Sequence, residues 1–394
     1  MKLILIQSKN IMQNFLIINE FAKHKDLSET IVIFDGKCSS ETNQLIKLFP
    51  ELYITKLKIN NYFNVEEIKN KISKYNKEKL HLDLTSGYKF TTILLYAISK
   101  IINQEVSFSY LDIHKKKLIF LKLNSNNNLE EVNSKMVYKI LEENKLKLKE
   151  LILVQLKQEY SYVKFKTIFE VKEDYKLDIF KIVEKKFKKV LYKFWDLNKK
   201  KQMNLKERKY NKIAIKNELD KLNVYESTIR EYFEGDHNKN LKLFKFLTDE
   251  LLEFKLIMDF EKLTETLSID INNEAIFNYE LYKSYEKKVK GKPEFELDMI
   301  INDKGNIFVV SITLGKKSEW WVYHIYEVIH RAKQIVGESA IPVIVSSSHD
   351  INIIRKLTNN NNGFQETIYP INIDNFSNQF KQLILNKRKE CDLL

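Results

Sequence analysis

Apolar runs of five to seven residues alternate with amphipathic stretches through the first 123 positions. The runs cover Lys2–Gln7, Thr30–Phe34, Leu52–Lys58, Leu80–Leu84, Val106–Leu111 and Lys117–Leu123. Runs this short, bounded by polar turns, predict strands. Between the first five, Ile11–Lys23, Ser40–Phe49, Val65–Tyr75 and Phe90–Ile102 repeat apolar residues at helical spacing. Strand and helix in alternation predict a doubly wound sheet that is mostly parallel. Ligands of such sheets sit beyond the carboxyl ends of the strands, where the strand order reverses. If the first and fourth strands flank that point, Gln7-Ser8-Lys9-Asn10 and Thr85 to Lys89 face the ligand, with Asp35-Gly36-Lys37 beside them.

The pattern changes after Asn124–Asn128, which reads as a polar loop closing the first domain. From Leu129 to about Lys239 the chain is charged and helical in period, although Ile152–Leu156 also fits a strand. Gly235–Asn240 is the candidate hinge into a last domain. There a helix over Leu241–Leu263 precedes strands near Phe277–Tyr285, Phe295–Asn302 and Asn306–Thr313, a helix over Trp320–Val336 and a strand at Pro342–Ser346. The expected organisation is an α/β protein in three segments, 1–128, 129–239 and 240–394.

Composition narrows the function classes. With 394 residues, 44% of them hydrophobic, the chain can bury two or three cores. The excess of 66 basic over 53 acidic residues, a net +13, favours a polyanionic partner, although a solvated Lys-rich surface gives the same count. Lys199-Lys200-Lys201 with Lys206, Arg208 and Lys209 poses the same choice, and a solvated helix face is the commoner outcome. Two cysteines, Cys38 and Cys391, offer no disulfide framework, and no apolar run approaches membrane-spanning length. A cytoplasmic protein without membrane partners is expected. The seven histidines show no metal-ligand spacing, and Ser346-Ser347-Ser348-His349-Asp350 reads as a loop.

The most informative stretch is Asp83-Leu84-Thr85-Ser86-Gly87-Tyr88-Lys89. A strand, a small-residue turn and a helix start present free backbone N–H groups to an anion. Lys89 in the first helical turn opposes the helix dipole unless a phosphate compensates it. An incidental lysine in a Lys-rich chain would look the same. Thr85-Ser86-Gly87-Tyr88-Lys89 resembles the Thr-Gly-Gly-Thr-Lys-type signature of CARF domains, the Rossmann-like sensors of CRISPR systems. The resemblance covers about the first third of the chain. It implies a homodimer whose paired sensors share one cyclic oligoadenylate, with cyclic tetra-adenylate expected as activator. Ser8, Lys9, Thr85, Ser86, Gly87 and Lys89 are the ligand candidates. Self-cleavage of the ligand within the sensor also stays open.

The order of elements in the last third resembles the PD-(D/E)XK nuclease core. Glu296-Leu297-Asp298 is similar to the acidic motif of CARF-linked members, and Asn306–Val310 to the strand leading into Glu-x-Lys. Ser311-Ile312-Thr313 stands where that motif is expected, so both charged positions are replaced. Some nucleases of this type carry Ser there and take the carboxylate from the following helix, which here offers Glu327. The resemblance then implies Asp298, Glu327 and Lys316 as catalytic residues, and Glu296, Asp298 and Glu327 as ligands of a divalent metal, Mn or Mg, acting on DNA or RNA. Two other readings compete: a sensor with an inactive nuclease fold, and a ligand-controlled nucleic-acid-binding regulator.

Overall fold

The computed structural model describes the chain outside residues 8–10, 36–38, 76, 86–88, 101–105, 114, 125–127, 156–161, 200–202, 205–208, 211, 283–294, 315–317, 338, 361–367 and 393–394. The N-terminal elements run β1 (Lys2–Ile6), α1 (Ile11–Phe21), β2 (Glu29–Phe34), α2 (Ser39–Leu48), β3 (Ile54–Lys58), α3 (Val65–Ser73), β4 (Leu80–Asp83), α4 (Lys89–Ser99), β5 (Val106–Asp112), β6 (Lys117–Leu123) and β7 (Leu129–Met136). They build one sheet in the order β3-β2-β1-β4-β5-β6-β7. The first five strands are parallel and the last two antiparallel. β1 therefore lies beside β4, which is where the order reverses.

Alternation within each strand sends successive side chains to opposite faces. Ile4 and Ile6 join Ile31, Ile33, Leu80 and Leu82 in a core covered by Ile68 and Ile72 of α3 and Leu94 and Leu95 of α4. Leu3, Leu5 and Val32 face the other way, onto α1.

Leu129–Met136, expected to be helical, is instead the edge strand β7. Its exposed, charged sequence carries no apolar alternation, so the strand is specified by what it pairs with. β6 supplies the ladder, and Lys117 meets Glu131 across it at 3.1 Å. Asn124 and Asn128 close the hairpin through Asn124 N–H to Asn128 O at 2.9 Å. Two helices follow, α5 (Val137–Glu143) and α6 (Leu148–Gln155), then β8 (Tyr162–Lys166). The run from Ile152, open between helix and strand in the sequence, is helical through Gln155.

Residues 166–272, with 373–378, form a separate compact unit. It contains α7 (Ile168–Val171), α8 (Asp174–Val183), α9 (Phe187–Lys199), the two-residue strands β9 (Met203–Asn204) and β10 (Lys209–Tyr210), α10 (Lys212–Lys221), α11 (Ser227–Glu234), α12 (His237–Lys245), α13 (Leu251–Leu267) and the first half of α14 (Ile271–Glu274). The single helix expected over Leu241–Leu263 is α12 and α13 joined by a π-helical turn, Phe246–Glu250. Gly235, the expected hinge, lies between α11 and α12, where an added Cβ would stand 2.8 Å from Glu231 O. Close packing rather than flexibility requires glycine there.

The remaining strands are β11 (Ala275–Tyr282), β12 (Phe295–Asp303), β13 (Asn306–Ile312), β14 (Ala340–Ser346) and β15 (Tyr369–Asn372). They alternate with helices α15 (Ser318–Val336) and α16 (Ser348–Asn360) before α17 (Phe376–Asp392). With β8 they form a second sheet in the order β15-β14-β13-β12-β11-β8. β11, β12 and β13 are antiparallel; β13, β14 and β15 are parallel. The β12–β13 turn places Lys304 at φ 51° and Gly305 at φ 83°. Two positive φ values in a two-residue hairpin turn suit the strand twist and favour glycine.

The two sheets belong to one compact unit and share a core. Leu3, Leu5 and Ile17 continue through Leu148, Leu151 and Val154 of α6 to Ile300 and Val309 of the second sheet and Ala332 and Ile335 of α15.

One buried group in the first sheet makes stability depend on pH. His81 is 3% exposed, with its ring 4.2 Å from that of Phe21 and Nδ1 2.7 Å from Ser107 Oγ. Burial, with a smaller push from His24, lowers its pKa from 6.5 to about 3. Between those values the unfolded chain binds the proton and the folded chain does not, so stability falls as pH drops below 6.5, by up to about 1.4 kcal/mol per pH unit. Urea denaturation of the wild type from pH 6.5 to 5 should show about 2 kcal/mol more loss than in His81→Leu. Equal losses would contradict this assignment.

Candidate functional site

The carboxyl ends of β1, β2 and β4 are held by a set of polar contacts that the hydrophobic pattern does not reveal. Asn14, fully buried on α1, donates through Nδ2 to Ile6 O at 3.0 Å and accepts from Gln7 Nε2 at 3.3 Å. Tyr62 donates its hydroxyl to Gln7 O and accepts from Asp35 N–H, each at 3.2 Å. One phenol thus ties the exits of β1 and β2. At the end of β4, fully buried Asp83 accepts from Thr85 Oγ1 at 2.7 Å, and from Thr85 N–H and Ser109 Oγ at 3.3 Å each. Thr85 Oγ1 in turn accepts from Leu111 N–H at 2.7 Å. Its one hydroxyl proton therefore serves Asp83, and the residue ties the end of β4 to β5.

Lys89 is the first residue of α4, the helix start that the sequence predicts. Thr92, in the next turn, donates to Leu84 O at 3.4 Å and holds that start against β4. Neither α1 nor α4 has an acidic residue in its first turn. Two helix N-termini next to neighbouring central strands thus present positive potential with no carboxylate in their own first turns. Ser8, Lys9, Ser86 and Gly87 lie outside the described residues, as does the side chain of Lys89. Asn14 and Tyr62 had one sequence signal each: a polar residue on a fully apolar helix stripe, and a tyrosine in the turn preceding α3.

The second locus lies at the carboxyl ends of β13 and β14. Asp298 Oδ2 accepts from Ile312 N–H at 2.6 Å, which engages the carboxylate in strand pairing. Ser311 is buried, and Thr313 N–H donates to Val345 O at 3.0 Å. Thr313 Oγ1 lies 3.0 Å from His324 Nε2, so α15 brings an imidazole to the position where the motif would have lysine. His324 Nδ1 is 3.7 Å from Glu327 Oε2. Sequence reasoning passed over His324 because its spacing to His330 suggests no ligand pair; only the fold sets it against Thr313. Ser346 bonds Thr313 O, and Ser347 and Asp350 cap the start of α16, with Ser347 Oγ 2.7 Å from Asp350 Oδ2. The serine-rich stretch is thus a strand end and a helix cap.

The residues expected to hold a metal do not assemble as a donor set. Glu296 is exposed on β12 opposite Glu280 of β11, Glu327 is exposed on α15, and Asp298 bonds backbone. Among the described residues no three His, Cys, Asp or Glu side chains form a metal-holding group. Lys316 lies outside the described residues. Among the described residues no helix is long and apolar enough to cross a membrane.

The anchoring of Thr85 generates a direct test. Thr85→Val leaves Asp83 short of a donor and Leu111 N–H short of an acceptor, so it should cost about 1–3 kcal/mol in chemical denaturation. Thr85→Ser keeps both bonds and should cost well under half as much. Equal costs would show that the hydroxyl contributes nothing.

No family model matches the chain, and no curated protein does. Solved structures do share its fold. Protein VC1899 from Vibrio cholerae is 12% identical, with the alignment covering 99% of this chain and 98% of that one at a TM-score of 0.62. Can2 from Sulfobacillus thermosulfidooxidans, solved in complex with cyclic tetra-adenylate, is 11% identical over 97% of this chain and 96% of that one, with a TM-score of 0.60. The likeness at these identities is one of fold, and it runs nearly the whole length of the chain: an α/β protein with a Rossmann-like N-terminal sheet and a second α/β sheet.

Proposed function

We propose that the chain is a cyclic-oligoadenylate sensor of CRISPR antiviral signalling, with cyclic tetra-adenylate as its ligand. The observation that carries this reading is the pairing of β1 with β4 at the sheet's reversal point, beside two helix starts lacking acidic residues, in a chain whose residues 85–89 resemble the CARF signature. Backbone N–H groups there, with Lys9 and Lys89, would hold phosphates, and Thr85 would set the loop's course. A fold shared with a protein solved in complex with cyclic tetra-adenylate supports the choice of ligand. A cyclic ligand with repeating units suits a two-fold homodimer, because each subunit meets the same face.

For the second sheet we favour control of nucleic-acid binding over metal-dependent hydrolysis, because among the described residues Glu296, Asp298 and Glu327 do not gather into a metal-holding group. The net charge of +13 fits a DNA or RNA partner. Hydrolysis would instead require Glu327 and Lys316 to converge on Asp298.

Calorimetry with cyclic tetra-adenylate should show binding that Lys89→Ala weakens about tenfold, the loss of roughly 1.4 kcal/mol expected for one phosphate contact. In the same preparation, plasmid DNA and single-stranded RNA with manganese and ligand should remain uncut. Cutting that disappears in both Asp298→Ala and Glu327→Ala would overturn the non-hydrolytic reading while leaving the sensor intact. Absence of ligand binding would overturn the sensor.

A further inference from the structure

Lys116 turns its amine into the protein, and the sensor reading gives that amine no task. The residue lies in the β5–β6 turn at φ 50°, a backbone region that a non-glycine residue seldom adopts. It is half-buried, and Nζ donates to Gly305 O at 3.0 Å and to Asn306 Oδ1 at 2.6 Å, both in the β12–β13 hairpin. These acceptors are neutral. The nearby carboxylates are held by other cations: Asp303 by Arg388 Nε at 2.9 and 3.2 Å, and Glu390 by Lys387 at 2.7 Å. Burial pushes Lys116 from 10.5 down to about 8; Cys391, Asp303 and Glu390 pull the other way, while Lys387 adds to the lowering. At pH 7.5 about a quarter of such an amine is neutral, against about one part in a thousand at the ordinary value. A desolvated, uncharged lysine is a nucleophile. A methionine would fill the same space without desolvating a charge, so packing alone gives no reason for lysine.

Beside this amine lies a cavity of about 50 Å³, within the unit that holds both sheets. Met12, Leu16, Leu111 and Val137 give it apolar walls, and Gln13 and Ser339 add an amide and a hydroxyl. A water needs roughly 10–15 Å³ of such space, so about three heavy atoms fit. That room admits carbon dioxide and excludes larger acyl donors. Apolar walls suit an uncharged linear molecule, and Gln13 and Ser339 supply hydrogen-bond donors for the anion that it forms on an amine. Lys387, whose charge opposes an ammonium at Lys116, attracts an anion there instead.

We propose that Lys116 is a carbamylation site, whose neutral amine adds reversibly to carbon dioxide held in the adjoining cavity. The nitrogen lone pair forms the N–C bond, one C–O π pair moves onto oxygen, and a nitrogen proton passes to solvent. The product is a lysine carbamate with one negative charge, and no further reactant takes part. Its nitrogen keeps one N–H, enough for either Gly305 O or Asn306 Oδ1. The side chain thus changes from a cation to an anion at the contact between the β5–β6 turn and the β12–β13 hairpin. The inference stands independently of the sensor reading.

The test is isotopic labelling of the full chain. The protein is equilibrated at pH 7.5 with carbon dioxide and bicarbonate labelled with heavy carbon. A trialkyloxonium salt then fixes carbamates as esters, and mass spectrometry of chymotryptic peptides locates the label. Lys116 should carry about tenfold more label than its exposed neighbour Lys115, in line with its larger neutral fraction. Ser339→Val removes a donor and narrows the cavity, and should lower labelling of Lys116 about fivefold. Gln13→Leu removes the other donor, should act in the same direction, and covers the case in which Ser339→Val fails to fold. Label on Lys116 no higher than on Lys115 would overturn the proposal. So would wild-type labelling of Lys116 in a folded Ser339→Val or Gln13→Leu protein, because the cavity would then play no part.

Discussion

The shared apolar core between the two sheets is the constraint on which the rest of this structure depends. Helices α1 and α6 bury residues of one continuous cluster, in which Leu3 and Leu5 of the first sheet and Ile300 and Val309 of the second are members. Burying a leucine or isoleucine contributes about 1.5–3 kcal/mol, so the cluster sets a strong preference for one arrangement of the two sheets. It also means that neither sheet has a complete core of its own on that side. A change in the packing of one is therefore felt by the other, because close-packed interiors transmit small displacements.

Polar groups finish what the core begins. Hydrophobic pairing brings β1, β2 and β4 together, and Asn14, Tyr62 and Asp83 make the polar contacts at the ends of these strands. Each of these groups is buried and bonded to backbone, where an unpaired atom would be expensive. At the second locus polar side chains likewise bind backbone and one another. Asp298 spends a carboxylate oxygen on Ile312 N–H, and Thr313 and His324 occupy each other.

The parallel sheet, its reversal point and the start of α4 were legible because buried strands must be apolar and helix starts need small or polar residues before them. The order of β12, β13, α15 and β14 was legible for the same reason. β7 was not, since Leu129–Met136 is charged and takes its conformation from pairing with β6. The π-helical turn at Phe246–Glu250 was also hidden, as it keeps a helical period within error. At the candidate sites, residue types were readable but partners were not. Thr85 was visible as a loop residue, yet its bonds to Asp83 and Leu111 join strands 26 residues apart. His324 and Lys116 gain their roles only from long-range contacts, and no local spacing encodes those.

The most direct test of the account is a structure of the chain with cyclic tetra-adenylate. The account predicts one ligand on the two-fold axis of a dimer, its phosphates against backbone 86–89 and the N-terminus of α1. Ligand bound elsewhere, or a ligand site formed by a single subunit away from the ends of β1 and β4, would contradict it.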